Sequence, residues 1–293
     1  MFGIILINKP LEMTSHDVVG ILRKRFNTKR IGHAGTLDPM ATGLLVLAVG
    51  PATRFLQYLP LEPKVYVAKI EFGKSTNSFD QEGEVTEEHP VPDNLHDQLA
   101  NVLPTMIGFQ EQLPPMFSAV KVKGQPLYKY ARMGEEIERK TRRIFISRLD
   151  VLETTHNTVT LEIECSGGTY VRTIAHDLGQ KIGCGAYLAG LVRTKVGRFS
   201  VEGTSGPKDE TLSPLITLRD ALAPMEERQL SELEYARVQN GGHIANSGSE
   251  AEFVTLISPN NEVVSVAAVD GNLLRPQCVI PVESLHNEEL LDR

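Results

Sequence analysis

The chain has no tryptophan, only three cysteines and few aromatic residues, 7 Tyr and 10 Phe in 293 positions. Cys165, Cys184 and Cys278 are far apart and have no His or Cys neighbour at metal-ligand spacing. That argues against a disulfide framework and against zinc, and it suits a reducing cytosol. Long apolar runs are also missing. Nothing approaches the roughly 20 residues of a membrane helix, and the apolar start, Phe2 to Ile7, lacks a basic leader and is too short for a signal peptide. The expectation is a cytoplasmic chain without membrane or metal. Internal repeats and low-complexity tracts are absent too, and the length allows one large domain or two, with ample core.

Positive charge is scarce overall: 30 Lys+Arg against 37 Asp+Glu, a net of −7. At first sight that disfavours a nucleic-acid partner. Residues 201–293, however, hold 6 basic against 16 acidic residues, a net of −10, which leaves 24 against 21, a net of +3, in residues 1–200. If either part faces RNA, electrostatics favours the first. Within it, Ser118 to Arg143 gathers Lys121, Lys123, Lys129, Arg132, Arg139, Lys140, Arg142 and Arg143 around Phe117, Tyr128 and Tyr130. A charge run is usually a solvated face, and Glu135, Glu136 and Glu138 dilute the middle of this one. Cations mixed with aromatics nevertheless suit loop or single-stranded RNA, where phosphates and unstacked bases are both accessible.

The most informative stretch is Gly32 to Gly43, GHAGTLDPMATG. Pro39 pushes Asp38 away from helical geometry, and the glycines at 32, 35 and 43 allow close approach to the backbone. Leu44 to Val49 (LLVLAV) then reads as a buried strand. A carboxylate is thus held on a tight loop tied to rigid structure. A bare Asp-Pro would more often be an ordinary turn.

Along the rest of the chain, Phe2 to Asn8 reads as a strand, and Thr14 or Ser15 caps a helix from about His16 to Phe26. Val65 to Phe72 and Thr158 to Cys165 alternate as strands. Leu95 to Ile107 and Tyr170 to Ile182 have helical spacing, the latter stopped by Gly183 and Gly185. Strands and helices mix without a regular βαβ beat, which predicts an α+β fold. Thr204 to Pro207 and the charge shift mark a linker region, with a helix near Leu215 to Leu222. From about Gln229, short runs such as Glu252 to Ile257 and Val263 to Val269, between turn signals, predict a small β-rich domain.

The Gly32–Gly43 string resembles the carboxylate loop of the TruB-type pseudouridine synthases, GHxGxLDPxAxGxL. Further segments resemble the same family in the same order: Ile7 to Ser15 (INKPLEMTS), Lys64 to Gly83 (KVYVAKIEFGKSTNSFDQEG), Leu113 to Gly134 (LPPMFSAVKVKGQPLYKYARMG), and Cys165 to Gly185 (CSGGTYVRTIAHDLGQKIGCG) with Leu191 to Val201 after it. The resemblance spans roughly residues 1–205. It implies a mixed, mainly antiparallel central sheet with flanking helices, an RNA-gripping insertion at about 113–145 within a catalytic domain of 1–205, a connecting stretch of 206–228, and a PUA-like domain from 229 to 293.

The reaction it implies detaches uracil from C1′ of the ribose, turns it and rejoins it through C5. Nothing is oxidised and no external acceptor takes part, so no cofactor is expected. The resemblance makes Asp38 the essential carboxylate and Arg172 the cation beside it. A pair about 4 Å apart interacts by roughly 4 kcal/mol at an effective dielectric of 20, enough to offset several kcal/mol of desolvation. Tyr66 becomes the ring stacked on the flipped uracil, with its hydroxyl near C5, and stacking contributes about 1–3 kcal/mol per base. His33, Tyr170 and Asp80 become substrate- or RNA-facing residues, joined on the insertion by Lys121, Lys123, Tyr128, Arg132 and Arg142. Lys9 is grouped with them, although with Pro10 it is expected to support the Asp38 loop. Read without the family, Tyr66 is a half-buried core aromatic, Arg172 a structural arginine, His33 a hydrogen-bonding loop residue and Asp80 an Asx-type turn residue.

Two departures stand out. Glu12 occupies a position that is usually Gly in the family, and the C-terminal part is acidic for an RNA-touching module, which confines its RNA contact to a small basic spot such as Arg237 and Arg275. The partner expected is the T arm of tRNA, bound by a monomer. The rivals are an RNA-binding or tRNA-folding factor without necessary catalysis, and the same chemistry on another RNA. A carboxylate glycosidase fits poorly, for want of a second carboxylate at a comparable site.

Overall fold

The computed structural model describes residues 2–285; the end of the expected C-terminal domain, 286–293, lies outside the described residues. In chain order, β1 (Gly3–Lys9) leads into α1 (Ser15–Arg25), then β2 (Ile31–Ala34), β3 (Ala41–Val49) and β4 (Lys64–Phe72). A small hairpin, β5 (Lys74–Thr76) and β6 (Val85–Glu88), precedes α2 (Leu95–Val102) and β7 (Gly108–Gln112). The insertion contributes a two-stranded ribbon, β8 (Lys121–Val122) and β9 (Gln125–Pro126), and one short helix, α3 (Leu127–Arg132). β10 (Arg142–Thr154), β11 (Thr158–Cys165), α4 (Val171–Ile182), β12 (Ala186–Val196) and β13 (Phe199–Ser200) complete this part.

Nine strands form one sheet whose main path runs β1-β3-β12-β4-β11-β10-β7, with β2 against β3 and β13 against β12. Every pairing is antiparallel except β3 with β12, so the fold is α+β with a mixed, mainly antiparallel sheet. β12 pairs the first three residues of β3 and β2 pairs its last four. The loop that leaves β2 and re-enters β3 therefore lies beside β12, and Asp38 sits on it. One face of the sheet buries α2 and α4 through Leu95, Leu99, Ile174 and Leu178. The β1/β3 end packs on α1 through Val18, Val19 and Leu22.

Helix α1 begins in a capping box: the Thr14 hydroxyl accepts from the Asp17 N–H, and Asp17 accepts from the Thr14 N–H. The helix expected over Leu95–Ile107 is α-helical only to Val102. Pro104 then forces a 3₁₀ turn, Leu103–Met106, because its ring removes an N–H. Gly183 ends α4 in the left-handed region at φ +90°.

Of the helix expected near Leu215 to Leu222, only Leu218–Ala221 is helical (α5), capped by Thr217. A five-stranded sheet follows in the order β14 (Glu226–Gln229), β16 (Phe253–Ile257), β17 (Val263–Asp270), β18 (Leu273–Val279), β15 (Ile244–Ala245), with α6 (Glu232–Gln239) against it. It is seated on the 3₁₀ segment Gly50–Tyr58: Tyr58 meets Phe253 edge-on at 5.1 Å, and Arg54 Nη1 donates to Val279 O at 3.1 Å. Arg275 is paired with Asp270 at 2.6 Å, which neutralises half of the expected basic spot.

Candidate active site

The Asp38 loop is fastened from several sides. The Ser15 hydroxyl donates to Leu37 O at 3.1 Å and accepts from Leu37 N–H at 2.9 Å. Lys9 is 0 % exposed and its ammonium donates to Pro10 O, Met13 O and Pro39 O at 2.9, 2.6 and 3.4 Å. Burial lowers its pKa to about 8, against the opposing field of Asp38. Lys9 thus stands beneath the loop as a clamp, not on an RNA-facing surface. Glu12 adopts the left-handed region at φ 63° and its N–H donates to Pro39 O at 2.9 Å. The turn that glycine would make is kept, at the strain of a non-glycine residue. At Gly43, φ +99°, what comes close is backbone and not a ligand: a β-carbon there would strike Arg193 of β12.

Arg172, in the first turn of α4, gathers the charged groups. Its Nε lies 2.9 Å from Asp38 Oδ2, and its Nη1 lies 3.4 Å from Asp80 Oδ2 and donates to Ser78 O at 3.0 Å. Nη2 donates to Phe117 O at 2.8 Å, at the root of the insertion. The two carboxylates differ in setting. Asp80 is 6 % exposed at its side chain and also accepts from Ser78 Oγ and Glu82 N–H, whereas Asp38 keeps 39 % exposure. Asp80 therefore orders the guanidinium from behind, and Asp38 is the one presented to solvent.

Asp38, Tyr66, Tyr170 and Arg172 line one cavity of about 250 Å³, with Leu191 and, from the insertion, Ser118 and Ala119. Tyr66 is 7 % exposed. Burial raises its phenol pKa, and the nearby Arg193 guanidinium opposes that shift. Tyr170 is held by its backbone, which exchanges hydrogen bonds with the Gln112 amide at 3.0 and 2.8 Å. Arg142 lies over the Tyr170 ring at 5.4 Å and donates to Gly168 O at 3.4 Å, at the rim.

His33 is not among the lining residues. It stands half-buried on β2, where burial lowers its pKa, and its Nδ1 finds no partner among the described residues. Lys121, Lys123 and Arg132 are exposed on the insertion, and Arg132 lies 5.6 Å from the ring of the partly exposed Tyr128. None of these lines the cavity.

Three residues at the site escaped the sequence reading: Gln112, Lys64 and Arg193. Register explains the last two. Arg193 pairs with Gly43 on one side and Tyr66 on the other, and Lys64 stands two residues before Tyr66 on the same face. Among the described residues, no group of three or more His, Cys, Asp or Glu is placed to hold a metal ion.

Residues 23–171 match the model of the TruB family pseudouridylate synthase N-terminal domain, and residues 172–236 match the tRNA pseudouridylate synthase B C-terminal domain. The chain belongs to the TruB family of pseudouridylate synthases. The tRNA pseudouridine synthase B of Opitutus terrae is 50% identical over 68% of this chain and 83% of its own. That of Thermobifida fusca is 41% identical over 90% of this chain and 94% of its own. The TruB fold is also shared with a chain in the crystal structure of a Cbf5-Nop10-Gar1 complex, at TM-score 0.70 and 24% identity, covering 96% of this chain and 86% of that one.

Proposed function

We propose that this TruB-family enzyme converts a uridine of the tRNA T loop, position 55, to pseudouridine, with Asp38 as the essential carboxylate. One observation carries the reading: a partly exposed Asp38 is bonded to a buried Arg172 at 2.9 Å on the wall of a cavity that Tyr66 and Tyr170 also line. The relatives' names supply the tRNA substrate class. Flipping the nucleotide out of its stack costs a few kcal/mol, and stacking on Tyr66 offsets part of that.

Asp38 then acts at the sugar, either adding to C1′ or taking the proton from C2′, while Arg172 and Asp80 fix its position. Tyr66, as acid or base at C5, completes the isomerisation. The basic insertion grips the T arm through Lys121, Lys123, Tyr128 and Arg132, and Arg142 does so at the rim. The proposed setting is the cytoplasm, where three free buried cysteines stay reduced, with the protein acting as a monomer.

The test is incubation with an unmodified T-arm stem-loop and mapping of pseudouridine by base-specific chemistry. Product at the single T-loop uridine is expected. Tight, salt-sensitive binding without product would favour an RNA-folding role or another RNA target.

A further inference from the structure

The cavity has two cationic walls, and only one is compensated. Arg172 has Asp38 and Asp80. Arg193, 1 % exposed, and Lys64, half-buried, have no ion-pair partner among the described residues. Arg193 is nevertheless fixed: its Nε donates to Leu44 O at 2.8 Å and its Nη2 to Gly35 O at 3.1 Å. Its remaining nitrogen, Nη1, and the Lys64 ammonium each lie 3.5 Å from the point where a β-carbon on Gly35 would stand. Gly35 carries none, so both cations face the same space beside Tyr66. Burial depresses the Lys64 pKa, and repulsion from Arg193 adds to it, against the raising field of Glu62. A buried and a half-buried cation side by side, neither in an ion pair, repel each other at a cost that a ligand bringing negative charge relieves.

We propose that Lys64 and Arg193 stabilise the negative charge on the departing uracil, an inference that rests on the T-loop uridine reading above. When the C1′–N1 bond breaks, its electron pair leaves with the base, and the charge spreads over N1, O2 and O4. The sugar is balanced by addition of the Asp38 carboxylate at C1′ or by loss of the C2′ proton to it. Lys64 and Arg193 donate N–H to the uracil oxygens and keep their protons. The electron pair is returned when C5 bonds to C1′, as the Asp38 ester bond breaks or C2′ takes its proton back from Asp38; C5 then releases its proton and N1 takes one up. A backbone phosphate is the less suitable occupant. The cations sit on the inner wall with Tyr66, 7 % exposed, where a flat base fits and a hydrated diester would have to be stripped of water.

The experiment compares single-turnover glycosidic cleavage of two T-arm RNAs, one with uridine and one with 5-fluorouridine at the target. Fluorine withdraws electrons and makes the base a better leaving group, so it substitutes for part of the protein's stabilisation. Lys64→Gln is expected to slow the uridine RNA about 10²-fold and the fluorinated RNA by about tenfold or less, with Lys64→Arg recovering most of the rate. Equal loss on both RNAs, loss of RNA affinity alone, or no loss would overturn the proposal. Should Lys64→Gln not fold, Arg193→Gln carries the same comparison, and equal loss there overturns it likewise. Turnover of neither RNA by the unaltered protein would overturn the T-loop reading as well, which separates the two failures.

Discussion

The loop around Asp38 and the insertion that follows β7 are held in opposite ways. The loop is clamped by Ser15 at Leu37, by Lys9 and Glu12 at Pro39, and by Arg172 at Asp38 itself. The insertion folds on itself through a two-residue ribbon and one buried leucine, Leu127, and presents its lysines to solvent. Its ties to the site are the Arg172–Phe117 hydrogen bond and the cavity wall formed by Ser118 and Ala119. Chemistry at a sugar carbon needs groups fixed to a fraction of an ångström, whereas gripping a curved RNA arm needs charge and contact area on a segment that is cheap to rearrange. Arg172 touches both regions, with Nε on Asp38 and Nη2 on Phe117 O, and in the proposed function it is where RNA gripping and the positioning of Asp38 meet.

Arg172→Met breaks the comparison at that joint and should have the largest effect on folding. It leaves the buried Asp80 carboxylate unpaired, a loss of about 3–5 kcal/mol, and frees the root of the insertion. Urea unfolding should show the loss, and a variant of unchanged stability would contradict the joint role of Arg172. Tyr66→Phe acts only on the tied side. It keeps the stack, so RNA affinity should hold while turnover slows by about 10²-fold; full turnover would make the hydroxyl dispensable.

Replacing Lys121, Lys123 and Arg132 together by Ala acts only on the loose side. The salt dependence of RNA binding should become shallower by about 2 to 3 in log–log slope. Turnover at saturating RNA should not change, and a fall in it would show that the insertion shapes the site. The smallest effect concerns Asp177 on α4, whose pKa burial raises from 3.8 to about 6, with Lys181 opposing. In that interval the folded protein holds more protons than the unfolded chain, so stability falls as pH rises through it. Asp177→Asn should flatten that decline in urea melts; an unchanged slope would remove Asp177 as its source.

Local signals exposed much of this architecture. The capped start of α1, the apolar run of β3 and the glycine stop of α4 are written in short stretches, as is the Asp-Pro turn. The family resemblance added Arg172, Tyr66 and Tyr170 as residues of interest, and the structure brings all three to one cavity with Asp38. What stayed hidden depends on register. Nothing in LVRTKVG says that Arg193 will stand between Gly43 and Tyr66, because that follows from a parallel pairing on one side and an antiparallel one on the other. Gln112 was silent for a similar reason: its partner, Tyr170, is 58 residues away. Glycine at 43 was legible as close approach, but not as approach by a neighbouring strand. The 3₁₀ break at Pro104 shows a local rule overriding an apolar period that ran on to Ile107.

The central claim is that Asp38 performs chemistry at the target uridine and contributes little to holding the RNA. Its most direct test compares unaltered protein with Asp38→Asn on an unmodified T-arm stem-loop, measuring pseudouridine at the T-loop uridine and RNA affinity in parallel. Product is expected to disappear while affinity stays within a few-fold. A folded Asp38→Asn protein that still forms pseudouridine would contradict it.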